Sequence, residues 1–272
     1  MPIDYYGFLG KDIEVVKTEL STKYKEVFEF FEEFNHFLQK KKFDLKPKSH
    51  DERAITIVAL FIKSLETLQS IYILVKNCLS IDAESLTRNL FEEMVRIGYC
   101  CQGEDKWKRY MSLHLHNIIK IIDNAEKSQS EFPEELFKRK PLDKRRKEVE
   151  TMLKAEGNPK YISIKEMARE IGLIEIYHSY YRVVCDFVHS NPKALEKYII
   201  VGKNGKIEGF FWGPQIEGII QNVFTAVEFM LEIYNFLSGF FAVFKQEDIA
   251  DFISKKDKLA KKYLLSQATI IN

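Results

Sequence analysis

The 272-residue sequence predicts an all-α fold, a multi-helix bundle of long antiparallel helices that carries one small β-hairpin. Three observations support that expectation. Long stretches free of Pro and Gly return apolar residues at three- and four-residue intervals, the period of a helix with one buried face. Two Ser-x-x-Glu pairs, Ser49 with Glu52 and Ser163 with Glu166, have the spacing of capping boxes. Only one segment, YIIVGKNGKIEGFF from Tyr198, reads as two apolar strands around a tight turn.

Taken in order, Lys11 to about Gln39 reads as one long amphipathic helix, and with the loop KKKFDLKPKSH it makes an N-terminal unit over 1–48. Ser49 and Glu52 open a strongly apolar helix from Asp51 through Asn77, ending near Cys78 to Ser80. A second helix, capped by Asp82, carries Leu86, Leu90, Phe91, Met94, Val95 and Tyr99 before Gly103 stops it. A joint this short makes the two antiparallel neighbours.

Glu104 to about Lys127 is again helical. A charged stretch follows from Glu134 to Glu156, interrupted at Pro141 and closed by Gly157, Asn158 and Pro159, so 131–159 reads as a charged peripheral insertion. The segments 49–130 and 160–245 then form the core bundle of a single domain spanning 1–272. Gly172 separates a short capped helix from the next one, which ends at Asn191-Pro192. In the hairpin, Asn204-Gly205 supplies the positive φ angles of a two-residue turn. Pro214 sits just inside a long helix running to Phe244, and 246–272 is a tail of short helices rich in lysine.

Composition narrows the function classes. With 41 basic against 40 acidic side chains, the chain is not built to coat nucleic acid, although KRKPLDKRRK (138–147) and KKDKLAKK (255–262) are local basic patches. Cys78, Cys100, Cys101 and Cys185 show no CxxC spacing, which suits a reduced, cytoplasmic protein. No export signal precedes the first helix. The apolar run from Ile219 carries Glu228 and Glu232, which belong on a core helix and not in a membrane. Phosphate-loop, dinucleotide, nucleophile-elbow and zinc-protease motifs are absent, and no cofactor is expected.

Two helices concentrate ionisable groups. In EIYHSYYRVVCDFVHSN, Glu175, His178, Arg182, Asp186 and His189 fall within a sector of roughly 80° on an ideal helix, with apolar residues covering most of the rest. No lysine stands between Glu166 and Pro192, so the stripe reads as lining a cleft; the alternative is the solvent edge of an amphipathic helix. The helix dipole and Asp186 favour a protonated His189, able to act as an acid or to clamp an anion beside Arg182.

On the earlier helix, Arg88 is expected to point inward among Phe91, Val95 and Tyr99, with Glu84 and Glu92 one turn to either side as partners. Ser85, Asn89, Glu93 and Arg96 take the wet side. A buried ion pair that merely sets helix register is the plainer account of Arg88. The pairs Glu175–His178 and Asp186–His189 have carboxylate–imidazole spacing. They lie eleven residues apart on one helix, about 16 Å of rise, too far for a shared dinuclear site, and no metal is expected.

At Glu84 to Glu92, ESLTRNLFE, and Tyr180 to Ser190, YYRVVCDFVHS, the chain resembles a family of uncharacterised bacterial helical proteins marked by an ESLxRxLFE helix and a later Y…FVHS/P helix. More remotely, Arg182 followed by His189 resembles the Arg-x(4–6)-His motif of HEPN domains, helical bundles whose dimers cleave RNA without metal. Val183 stands where those motifs usually carry a polar residue. The HEPN resemblance implies a homodimeric ribonuclease or toxin-type effector of bacterial defence, with His189 as acid or base and Arg182 on the phosphate of an RNA. The residues themselves point to a non-catalytic binding or scaffolding protein in which Arg88, Glu92, Asp186 and His189 form an internal polar network.

Overall fold

The α3 helix (Glu52–Lys76) and the α4 helix (Ser80–Gln102) form the centre of the bundle, and their apolar spacing explains the pairing. Ile57, Phe61, Leu65, Leu68 and Ile71 recur every three or four residues and are buried, as are Leu90, Phe91 and Met94 on α4. The computed structural model describes residues 6–128, 141–188, 192–211, 213, 214, 216 and 218–268, the side chains of 186–188, 193, 194 and 265–268 apart.

The joint between these two helices is a Schellman closure. Leu79 N donates to Leu74 O at 2.9 Å and Cys78 N to Val75 O at 3.0 Å, which puts Cys78 in the left-handed region at φ 63°. The last carbonyls of α4 are met by Arg53, whose Nε and Nη2 donate to Cys100 O and Cys101 O at 2.8 and 2.7 Å. A third long helix, α12 (Ile219–Ser238), packs across both. Gly98 permits the close approach: a Cβ there would stand 2.7 Å from Phe236 Cε2 and 3.0 Å from Ile171 Cδ1.

The N-terminal helix expected to be continuous is two, α1 (Ile13–Lys23) and α2 (Lys25–Asp44), broken at Tyr24 with φ −113° and ψ 25°. Thr18 and Thr22 donate back to the carbonyls of Glu14 and Thr18, each at 2.8 Å, within α1. The segment expected as a tail of short helices holds the helix α13 (Ala250–Ala268), whose Phe252 packs on Phe34 and Phe37 with ring centroids 5.2 and 5.0 Å apart.

Local signals also moved. Asp51, not Ser49, caps α3 by accepting from Ala54 N at 2.9 Å, and α4 begins at Ser80, leaving Asp82 in its first turn. The expected Ser163–Glu166 capping box is present at the start of α8 (Ile164–Glu170). The helix after Pro214 starts only at Ile219 and ends at Ser238. Next to α5 (Glu104–Met111), α6 (Leu113–Ser128) and α7 (Leu142–Ala155) share a small core of Leu115, Val149 and Leu153, separate from the main one. Within the charged span read as 131–159, residues 131–140 lie outside the described ones.

The striped helix is not one regular α-helix. It runs as α9 (Ile174–Ile176), a π-helical turn (Tyr177–Tyr181) and α10 (Arg182–Val188). A short turn of helix, α11 (Pro192–Leu195), leads to strands β1 (Ile199–Val201) and β2 (Ile207–Phe210), which pair antiparallel. Gly202 N donates to Lys206 O at 2.9 Å and closes a three-residue loop over 203–205: only Gly205 has positive φ, 75°, Gly205 N donates to Gly202 O at 2.9 Å, and Asn204 instead accepts from Lys206 N.

Candidate functional site

The inner face of α4 meets the π turn and α10 around one guanidinium. Arg88 has a side chain 18% exposed, and its Nη2 stands 3.0 Å from Glu92 Oε1, one helical turn on. The same Nη2 donates to the Tyr181 hydroxyl at 2.9 Å, and that hydroxyl donates to Glu92 Oε1 at 2.8 Å. Arg88 Nε donates to Cys185 Sγ at 3.1 Å, while the guanidinium lies 5.0 Å from the centre of the Tyr181 ring. Arg96 closes the arrangement on Glu92 Oε2 at 2.6 Å. Burial, then the Glu92 carboxylate, push the Tyr181 hydroxyl above its ordinary range, so it stays protonated and keeps donating.

Of the residues singled out from sequence, Arg88 and Glu92 come together as an ion pair. Glu84 does not join them: its carboxylate pairs with Lys197 Nζ at 3.2 Å. Glu175, His178 and Arg182 are exposed, so the described part of the stripe faces solvent and not a cleft. The π turn accounts for part of this, because its i→i+5 bonds accommodate an extra residue and slip the phase of everything after it by about 100° from an ideal wheel. The side chain of Asp186 and the whole of His189 lie outside the described residues. Tyr181 and Cys185, four residues apart on the buried side, are partners that the charge pattern does not single out; the signal available is that a tyrosine hydroxyl on a buried face needs a hydrogen-bond partner.

Glu93, expected on the wet side, is buried with a side chain 2% exposed. Its Oε1 accepts from the Thr67 hydroxyl at 3.1 Å and stands 3.4 Å from Lys63 Nζ, but its Oε2 has no hydrogen-bond partner. Burial raises its pKa, against the pull of Lys63 and Thr67. The Tyr180 hydroxyl is likewise buried without a hydrogen bond. Thr87 is near enough to oppose the rise in its pKa, yet commits its own proton to Ala83 O at 2.8 Å. Burial and then Glu84 raise the Tyr180 pKa, keeping it a neutral donor.

Beside this face lies a cavity of about 690 Å³, between the first turn of α4, the π turn, the hairpin and the start of α12. Its helical wall is polar, with Glu84, Tyr180, Gln221, Asn222 and Thr225. The opposite wall is apolar, made by Ile199, Ile200, Phe211, Pro214 and Ile216. Asn222 is anchored there by donating Nδ2 to Ser80 O at 3.0 Å. Nucleophile chemistry finds little footing in the buried thiols: burial pushes Cys101 up to about 12 and raises Cys78 and Cys100 as well. Among the described residues no three His, Cys, Asp or Glu side chains are grouped to hold a metal ion.

Comparison with curated proteins and with solved structures returns no match. One family model does match, over residues 54–207, a span that takes in α3 from its third residue, α4, the π turn, Lys197 and the first residue of β2, and therefore the whole Arg88–Glu92–Tyr181 arrangement. As that span is more than half of the chain, the protein belongs to the Family of unknown function (DUF5677).

Proposed function

We propose that the protein works by binding and not by catalysis, with the Arg88–Glu92 network holding α4 against the π turn as the frame of the neighbouring cavity. The observation that carries this reading is that Arg88, Glu92 and Tyr181 spend their polar atoms on one another, leaving the charges neutralised in place instead of presented to a substrate. The cavity has the size of a small-molecule site, about 300–1,000 Å³, and the divided polar and apolar walls such sites use. Four free cysteines fit a cytoplasmic setting.

The test is saturable binding of the uncharged fluorescent dye prodan to the purified chain, and its loss on Thr225→Trp, which fills the polar wall. Binding that is absent, or indifferent to that substitution, overturns the reading.

One observation favours a second reading. Arg182 is exposed, as a guanidinium must be to reach the phosphate of an RNA across a homodimer in a HEPN-like ribonuclease or toxin-type effector of bacterial defence. There His189→Ala abolishes RNA cleavage and growth arrest while thermal stability is kept; a chain that never cleaves RNA ends this alternative.

A further inference from the structure

The two ends of α13 are held by different forces. Asp248, just before the helix, accepts from the Tyr234 hydroxyl at 3.0 Å and pairs with Lys41 at 2.6 Å, and the neighbouring Ile249 and Phe252 are buried. This end belongs to the core. Past Phe252 no described side chain of the helix reaches full burial: Leu259, Ala260, Tyr263 and Leu264 only lean on the core. Charge takes over there. Lys255 pairs with Glu33 at 3.0 Å and Lys262 with Glu26 at 2.7 Å, both on α2, while Lys256 pairs with Glu228 on α12. The two pairs on α2 join side chains between 40% and 56% exposed, open to screening by salt. Lys258 stands between Lys255 and Lys262 on the same flank, so without the glutamates of α2 this flank sets three lysines one turn apart, an arrangement that opposes a helix.

The charged half lies over the joint between α1 and α2. Tyr263 packs edge-on against Tyr24, with ring centroids 5.7 Å apart, and Glu26, which holds Lys262, stands in the first turn of α2. Helical bonds run on across Tyr24, from its N to Leu20 O at 3.0 Å and from Phe28 N to its O at 3.1 Å, so the joint is a bend and not a loop. No proline or glycine stands at the bend, which leaves its angle to packing, and Tyr263 is part of that packing.

We infer that α13 from Lys255 onward is a strap, which lifts from α2 when its ion pairs are lost, stays tethered through Asp248 and Phe252, and releases the bend at Tyr24 as it lifts. A segment this short and rich in lysine loses its helix once it has left α2. Opening therefore exposes the amides of both the strap and the bend.

Hydrogen–deuterium exchange of the full chain reads both ends of this coupling. Raising NaCl from about 0.01 to about 1 M shortens the reach of charge from about 30 to about 3 Å; exchange over 256–268 should rise about fivefold, with 20–28 rising alongside and the centre of α4 unchanged. Lys255→Glu with Lys262→Glu should do the same at low salt, and adding Glu26→Lys with Glu33→Lys should restore protection. Four results overturn the strap: protection over 256–268 that ignores salt and charge reversal, opening there while 20–28 stays protected, exchange that rises across α4 as well, or a second reversal that restores nothing.

Discussion

Glu92 and Tyr181 bond to each other across the α4–π interface, and their immediate chain neighbours, Glu93 and Tyr180, carry two buried polar atoms without a partner. The two pairs share a composition and differ by one residue of register. One step along α4 turns a side chain by about 100°, from the seam that holds Arg88 and Arg96 to the seam against α3, where Thr67 and Lys63 meet one of its oxygens. One step back along the π turn moves a hydroxyl from that network to the wall beside Phe229, with ring centroids 5.2 Å apart. Satisfaction is thus a property of the position and not of the residue type. The satisfied pair is a structural clamp, and the unsatisfied tyrosine borders the cavity.

Removing a member of the clamp is the strongest way to break this comparison. Glu92→Ala leaves the Arg88 and Arg96 guanidiniums without their shared carboxylate, and urea denaturation should register a loss of about 3–5 kcal/mol; Arg88→Ala costs less, because Glu92 keeps Arg96 and the Tyr181 hydroxyl. Tyr181→Phe comes next: it deletes one hydroxyl that touches two charged groups, and about 1.5–3 kcal/mol should disappear from the unfolding free energy.

Glu93→Gln should act in the opposite direction. Its folded carboxyl has a raised pKa, so as pH climbs through the ordinary glutamate range the unfolded chain releases this proton before the folded one does, and the native state loses stability. Below that range both states hold the proton and the effect vanishes. Thermal melts across pH 4 to 8 should therefore show Glu93→Gln gaining on the natural chain as pH rises. A constant difference would mean that Glu93 stays paired.

The smallest change belongs to Tyr180→Phe, expected within about 0.5 kcal/mol of the natural chain or slightly above it, because no bond is lost. Should it destabilise the fold as Tyr181→Phe does, the contrast between the neighbours is wrong.

The fold was readable to the extent that it depends on periodicity. Apolar spacing in α3, α4 and α12, the Ser163–Glu166 box and the Gly172 break all follow from neighbours in sequence. So does the i,i+4 pairing of Arg88 with Glu92. Reading failed where two local signals competed. Asp51 outbid Ser49 as the cap of α3, and the N-terminal helix breaks at Tyr24 although its apolar pattern runs on through that residue. The candidate site was less legible for a geometric reason: an ideal wheel assumes a constant angle per residue, and the π turn at Tyr177–Tyr181 voids it.

The sequence by itself determined the class of fold and which helices carry charge, since both depend on residues three or four apart, within reach of one helical turn. Tertiary packing decided which charges meet. Lys197 reaches Glu84 from 113 residues away, Tyr181 reaches Glu92 from 89, and the cavity exists only because a hairpin and the start of α12 close over α4. Partners so distant along the chain are chosen by the docking of whole elements, and one residue of phase is enough to exchange a carboxylate bonded at both oxygens for a buried one with an oxygen left without a donor.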